Sequence, residues 1–178
     1  LSAIGAKTGG TVTMTGAATI SGNTAQVKAA LVTATSLVVA DSSTSVEISN
    51  ASSVADLNLI AAKVADGKLT GSVGSSALST LSSLDTASAD IITITLSDTS
   101  GATLAASDLS ALGAKTAGTV TMAGAATISG SASEVEDALV ETTSLIVANS
   151  AVVTITDTTG TTLAASDLSA LGAKTAGT

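Results

Sequence analysis

The 178-residue chain contains no His, Cys, Phe, Tyr, Trp, Pro or Arg. Lacking imidazole and thiol, it has no His- or Cys-dependent catalytic triad, no structural zinc site and no haem ligation by these residues. No disulfide holds the fold, which fits an extracellular protein that avoids redox chemistry. Without aromatic rings, each buried side chain removes little area from water, and the platforms on which sugars stack are missing. Positive charge is scarce as well. Six Lys against fourteen Asp and Glu leave a net charge of -8, which provides no basic footprint for a nucleic-acid backbone. There is no apolar run of about twenty residues, so no membrane span is expected. The chain opens Leu1-Ser2-Ala3 with neither Met nor a basic leader, and reads as a processed product or a slice of a longer chain.

What is there is small and repetitive. Ala, Ser and Thr make up about half of the residues, and the 45% apolar content rests on Ala, Val, Leu, Ile and two Met. Such a core suits thin, regular layers, with solubility supplied by hydroxyls and a modest acidic excess. Residues 109–140, LSALGAKTAGTVTMAGAATISGSASEVEDALV, match residues 1–32, LSAIGAKTGGTVTMTGAATISGNTAQVKAALV. A weaker copy starts near Leu57. The chain is therefore one array of repeats at about 1–56, 57–108 and 109–167, with a fourth starting at 168–178. Unequal repeat lengths are what surface-loop insertions in a solenoid produce.

Each repeat reads as Thr/Val-rich extended stretches alternating with short helices. The strand candidates are Thr11 to Met14, Ser45 to Ile48, Leu69 to Val73, Ile91 to Leu96, Thr119 to Met122 and Val152 to Thr156. Thr-Ile-Thr-Leu at 93–96 and Val-Thr-Ile-Thr at 153–156 alternate apolar and hydroxyl residues with the period of a strand. In Ser133 to Val140, Val135, Ala138 and Leu139 share one helical face, and Ser133 with Glu136 suggests a capping box. A second kind of helix, Ala106 to Leu112, recurs at 165–171 and turns Leu109 and Leu112 inward. Helices of this length hold only when packed on a sheet.

One strand and one helix every 26 to 34 residues predict an α/β solenoid. Its parallel sheet of stacked coils carries short helices on one side, and at roughly 4.8 Å per coil, about six coils make a rod on the order of 30 Å long. A right-handed parallel β-helix is the alternative, and a Thr-rich sandwich a more distant one.

The acidic residues supply the candidate sites. Asp98 and Asp157 follow strands at equivalent places and are weak calcium candidates, the competing reading being an Asx-turn into Gly101 and Gly160. Asp41 lies at a related turn. Asp56, Asp108 and Asp167 precede the repeated leucine and read as first-turn carboxylates on a helix dipole. Glu134, Glu136, Asp137 and Glu141 read as a solvated helix face. Lys7, Lys115 and Lys174 are placed to offset helix C-termini. Asn50-Ala51-Ser52 is formally a glycosylation acceptor, and Met14 and Met122 read as core filling. No Ser has a base partner at recognisable spacing, so no catalytic residue is nominated and an enzyme is not expected.

The words GTVTMAGAATISGSASEV and ITDTTGTTLAASDLSALGAKTAG resemble repeats of very long secreted or cell-surface, haemolysin-like proteins of marine cyanobacteria and their phages. The resemblance covers nearly the whole chain. It implies a passive extracellular or tail-fibre module with no catalytic residues to carry over. The calcium-binding nonapeptide GGxGxDxUx is absent, so a calcium-loaded β-roll is not implied. The expected function is a non-enzymatic structural repeat of an extracellular filament, surface layer or elongated stalk, with an adhesin or phage tail-fibre segment binding a surface glycan as the alternative. Expected partners are copies of the chain or further repeats of a longer one, because neither end carries an atypical capping repeat.

Overall fold

A computed structural model describes residues 1–33, 38–141 and 145–176, apart from the side chain of Ser2. Gly177 and Thr178, which close the expected fourth repeat, lie outside the described residues. After helix α1 (Ser2–Gly5), the chain runs through successive strand–helix units. The first is β1 (Val12–Thr13), β2 (Thr19–Gly22) and α2 (Thr24–Leu31); the second is β3 (Val38–Val39), β4 (Ser45–Ser52) and α3 (Val54–Ala61). A shorter third unit holds only β5 (Leu69–Val73) and α4 (Leu78–Leu81). Then come β6 (Ile91–Leu96), β7 (Thr103–Ala105) and α5 (Ala106–Gly113), followed by β8 (Val120–Met122), β9 (Thr127–Gly130) and α6 (Ala132–Leu139). The last is β10 (Ile146–Val147), β11 (Val152–Ile155) and α7 (Ala165–Gly172).

Every strand pairing is parallel. One six-stranded sheet runs β10-β8-β6-β5-β4-β2, a three-stranded sheet β11-β9-β7, and a two-stranded one β1-β3. The protein is thus mixed α/β with parallel sheets and short helices, and among the described residues no sheet closes into a barrel. The eight-residue helices set aside a coil made of strands alone. Two expected strands, β5 and β6, have the bounds read from the sequence. The short strands β2, β3, β7, β9 and β10 are additions, so most units carry two strands and not one.

The core is built mainly of aliphatic side chains. Buried side chains stack across neighbouring strands in rows such as Ile20, Val46 and Leu69, then Ile94, Val120 and Ile146. Each row places like-sized side chains within one strand spacing, and outward positions such as Thr70, Thr95 and Thr121 carry hydroxyls. Met122 is buried and Met14 packs against the core, as expected of gap-filling side chains. Helices stack on their chain neighbours, α1 on α2 on α3, and α4 on α5 on α6 on α7. Leu109 and Leu112 of α5 are 0% and 1% exposed.

The helix starts are locally encoded. In α6 the Ser131 hydroxyl accepts from the Glu134 amide, while the Glu134 carboxylate accepts from the Ser131 amide at 2.8 Å. The box expected at Ser133 and Glu136 is therefore found two residues earlier, where Ser131 still has the extended backbone of a cap. Asn23 and Gln26 make the same box on α2, so the repeated helix keeps its start although both capping residues differ.

Candidate functional site

The polar groups that the fold gathers lie between successive units. Side chains near the end of a strand or just after it reach back to the helix of the unit before. The Asp98 carboxylate accepts from the Leu78 amide, the first residue of α4, at 2.8 Å. Asp157 does the same for Ala132, the first residue of α6, at 2.7 Å. In the N-terminal part Asn50 takes this role, accepting from the Thr24 amide of α2 at 2.8 Å and from its hydroxyl at 3.0 Å. The Thr24 proton is spent on Asn50, so the 2.6 Å contact with the buried Ser52 hydroxyl is donated by Ser52. A helix start has more amides than its own cap can satisfy, and these oxygens come from the next unit. Each also sits at the positive end of a helix.

Asp98 and Asp157 are thus inter-unit caps and do not form the Asx-turn they were expected to share. Asp41 does form one, accepting from the Ser43 amide and hydroxyl at 2.8 and 2.6 Å, and these bonds hold its carboxyl below the usual range. Among the described residues no group of three or more acidic side chains gathers that could hold a metal ion. The two calcium candidates serve different helices, each with its carboxylate on a backbone amide.

A second set of contacts holds the middle of the array. Asp90 is 3% exposed, and its two oxygens accept from the amides of Gly67, Leu69 and Ala87 at 2.9, 3.1 and 3.1 Å. Its backbone carbonyl accepts from Ala117 at 2.7 Å. The buried Thr116 hydroxyl accepts from the Ile92 and Gly118 amides, both at 2.8 Å. Residues 116–118 come so close to strand β6 that a methyl built on Gly118 would lie 2.4 Å from the Ile92 carbonyl oxygen, which only glycine permits. Asp90 and Thr116 together tie three consecutive units.

Helix C-termini are served in the same way. Lys115 donates to the carbonyls of Ser82 and Leu84 at 3.0 and 2.6 Å, so it serves the end of α4 in the preceding unit and not the end of its own helix. Asn58 on α3 donates to the Ser83 carbonyl and accepts from the Asp85 amide, both at 2.8 Å. On the neighbouring helices Lys28 and Asp56 form an ion pair, and that bond with the Ser53 cap lowers the Asp56 carboxyl below its ordinary range. Asp56, Asp108 and Asp167 all occupy the first turn of their helices. Glu134, Asp137 and Glu141 face solvent, and Glu136 is half-buried. The Ser131 bonds lower the Glu134 carboxyl. Lys7 and Lys174 are exposed.

Sequence reasoning missed Asp90, Thr116 and Asn58, and saw Asn50 only as an acceptor for a sugar. Its amide nitrogen donates to the Ala51 carbonyl at 3.0 Å. The repeated Lys-Thr-x-Gly word was the available signal for Thr116, since Thr8 makes the same local bond to the Gly10 amide at 3.0 Å. No protein-family model, curated protein or solved structure matches the chain. Among the described residues no helix is long and apolar enough to cross a membrane.

Proposed function

We propose that the chain is a non-enzymatic structural repeat module, a right-handed α/β solenoid that extends an extracellular filament, surface layer or stalk. The observation that carries this reading is the register. Strands pair in parallel with strands of the neighbouring unit 21 to 26 residues away along the chain: Thr19 with Ser45, Thr70 with Ile91, Val120 with Ile146, Thr127 with Val152. Parallel pairing at each step, with a helix on the return, winds the chain one way, and strand–helix–strand crossovers are right-handed in nearly all proteins.

Two further features support it. The accessible surface is 8667 Å², whereas a compact monomer of 16.7 kDa has about 7,600 Å² by the size scaling of folded proteins. The excess fits a body drawn out along one axis. Asn50, Asp98 and Asp157 each cap a helix of the unit before, which favours a fixed register between those units. The resemblance to secreted and surface repeats of marine cyanobacteria and their phages points to the same role outside the cell. For the glycan-binding alternative, the cleft beside α2 is lined by Asn23, Thr24, Lys28, Asn50 and Asp56, but Asn50 and Asp56 already hold Thr24 and Lys28.

Electron microscopy of the native material tests the proposal. Rods or fibrils with a rise of about 4.8 Å per unit along their axis are expected. Compact isolated particles without that repeat would refute it.

A further inference from the structure

The chain contains an internal template for one of its own surfaces. Residues 163–178 repeat residues 104–119 without a difference, LAASDLSALGAKTAGT. The internal copy is covered. Its Ala106 and Leu109 are both 0% exposed, because α5 lies against α6 and β9 of the following unit. The approach is close enough that a methyl built on Gly130 would stand 2.9 Å from the Ala106 Cβ. The second copy is bare on the same side: Ala165 is exposed and Leu168 is 43% exposed.

The cover that the internal copy enjoys also exists twice. Residues 127–139, which form β9 and α6, correspond to residues 19–31, which form β2 and α2, with Thr19, Ile20, Ser21 and Gly22 reproducing Thr127, Ile128, Ser129 and Gly130. In the N-terminal unit the four-residue α1 lies against α2, in the place of the second half of α5. Where the first half of α5 would sit there is a cleft of about 400 Å³, lined by Leu1, Thr19, Ile20, Gln26, Val27 and Ala30. Beside it Leu1 and Ile4 are 42% and 57% exposed.

We propose that α7 of one copy docks in this cleft on β2 and α2 of a second copy, displacing α1 and reproducing the α5–α6 contact between chains. The occupant is fixed by sequence, since the segment that fits is the one already seated on the equivalent surface within the same molecule. The eight-residue α7 covers what the four-residue α1 leaves open, and the bare faces of both copies are removed together. Docking in this sense repeats along a line, because each copy offers one donor and one acceptor face. The inference rests on the equivalence of units that underlies the proposed function, and gives that function a route by which separate chains join.

The absence of cysteine makes the test clean. In the internal template Gly130 meets Ala106, so Gly22 of one chain should meet Ala165 of the other. Two preparations of the 178-residue chain, one carrying Gly22→Cys and one Ala165→Cys, are mixed under mild oxidation and resolved without reductant. A mixed disulfide between the two variants is expected: the template places these Cβ positions 2.9 Å apart, so the docked faces need to separate by only about 0.6 Å to reach the roughly 3.5 Å at which a disulfide forms. Adding Leu168→Asp to the donor should lower the association constant by about fivefold or more, the worth of burying the 43% of the leucine side chain that the free chain exposes. Far-UV circular dichroism confirms that the variants keep their fold, and sedimentation of the unsubstituted chain across a concentration series gives a second measure of association.

Symmetric disulfides in place of the mixed one, or no interchain bond between folded chains that stay monomeric, would overturn the docking. The micrograph of native material judges the structural-module reading separately, since rods built from one continuous chain keep their rise whether or not separate copies dock.

Discussion

The identical segments at 104–119 and 163–178 allow one substitution to be made twice in the same sequence, at two depths. Leu109→Ala and Leu168→Ala each remove the same atoms from the same position of an eight-residue helix, preceded by the same Asp, so helix propensity cancels between them. Only the surroundings differ. Leu109 is 0% exposed between Ala106 and Leu112, and its loss leaves a cavity between two helices; large-to-small changes of this kind cost about 3–4 kcal/mol. Leu168 is 43% exposed, so a little over half of the same transfer energy is at stake and the open side lets solvent fill the gap, giving about 1–1.5 kcal/mol. The expected gap between the variants is therefore about 2 kcal/mol, and the melting temperature should fall by about 10 °C for Leu109→Ala and by about 4 °C or less for Leu168→Ala.

With no Trp or Tyr in the chain, unfolding has to be followed by far-UV circular dichroism in urea, at a protein concentration low enough to keep copies apart. Stacked repeats can unfold in parts, so the denaturant slope must be compared along with the midpoint. Equal destabilisation by the two substitutions, or a larger loss from Leu168→Ala, would refute the reasoning that the following unit buries the inner copy.

Asp157→Ala should lower stability by about 1 kcal/mol through loss of the amide bond to α6, whereas Asp157→Asn should recover most of it, as Asn50 serves α2; urea midpoints of the two variants check this. The buried Thr44 hydroxyl has no hydrogen-bond partner, so Thr44→Val, which keeps the shape and removes the orphaned group, should raise stability by about 1 kcal/mol in thermal melts. Because Lys28 lowers the Asp56 carboxyl, this pair contributes fully above the ordinary carboxylate pKa, and its contribution is lost as pH falls through the lowered folded-state value. Urea midpoints measured from neutral to acid pH should therefore fall less steeply in Asp56→Asn than in the unsubstituted chain, and unchanged acid dependence would remove the pair from the account.

Local conformation was readable where a strong pattern filled the element. The alternation Ile-Ile-Thr-Ile-Thr-Leu gave β6 its bounds, and the spacing of Val135, Ala138 and Leu139 gave α6 its buried face. Strands of two to four residues such as Ile146–Val147 and Thr127–Gly130 are too short for a period to emerge, and they are extended because a neighbour pairs with them. The polar ladder was hidden for a related reason. Asp157 lies 25 residues from the Ala132 amide it accepts from, and Lys115 lies 31 from the Leu84 carbonyl, so neither role belongs to the turn or helix in which sequence spacing places the side chain. A reading of each helix alone assigned Lys115 to its own C-terminus and Asp98 to its own turn.

The repeats also show where equivalence of sequence stops determining structure. The words that form β2 and β9 are the same four residues, Thr-Ile-Ser-Gly, yet β2 ends the six-stranded sheet while β9 lies at the centre of the three-stranded one. The cause lies between them. The third unit has one strand, β5, which pairs on one side with β4, the second strand of its unit, and on the other with β6, the first strand of its unit. The register in β4 shifts between Glu47 and Ala51, and β6 pairs through residues 91–93 with β5 and through 94–96 with β8. That stagger carries the sheet from one line of strands to the other. The buried polar ties of Asp90 and Thr116 hold the segments that lead into β5, β6 and β8, where backbone amides left without partners would cost about 1–3 kcal/mol each.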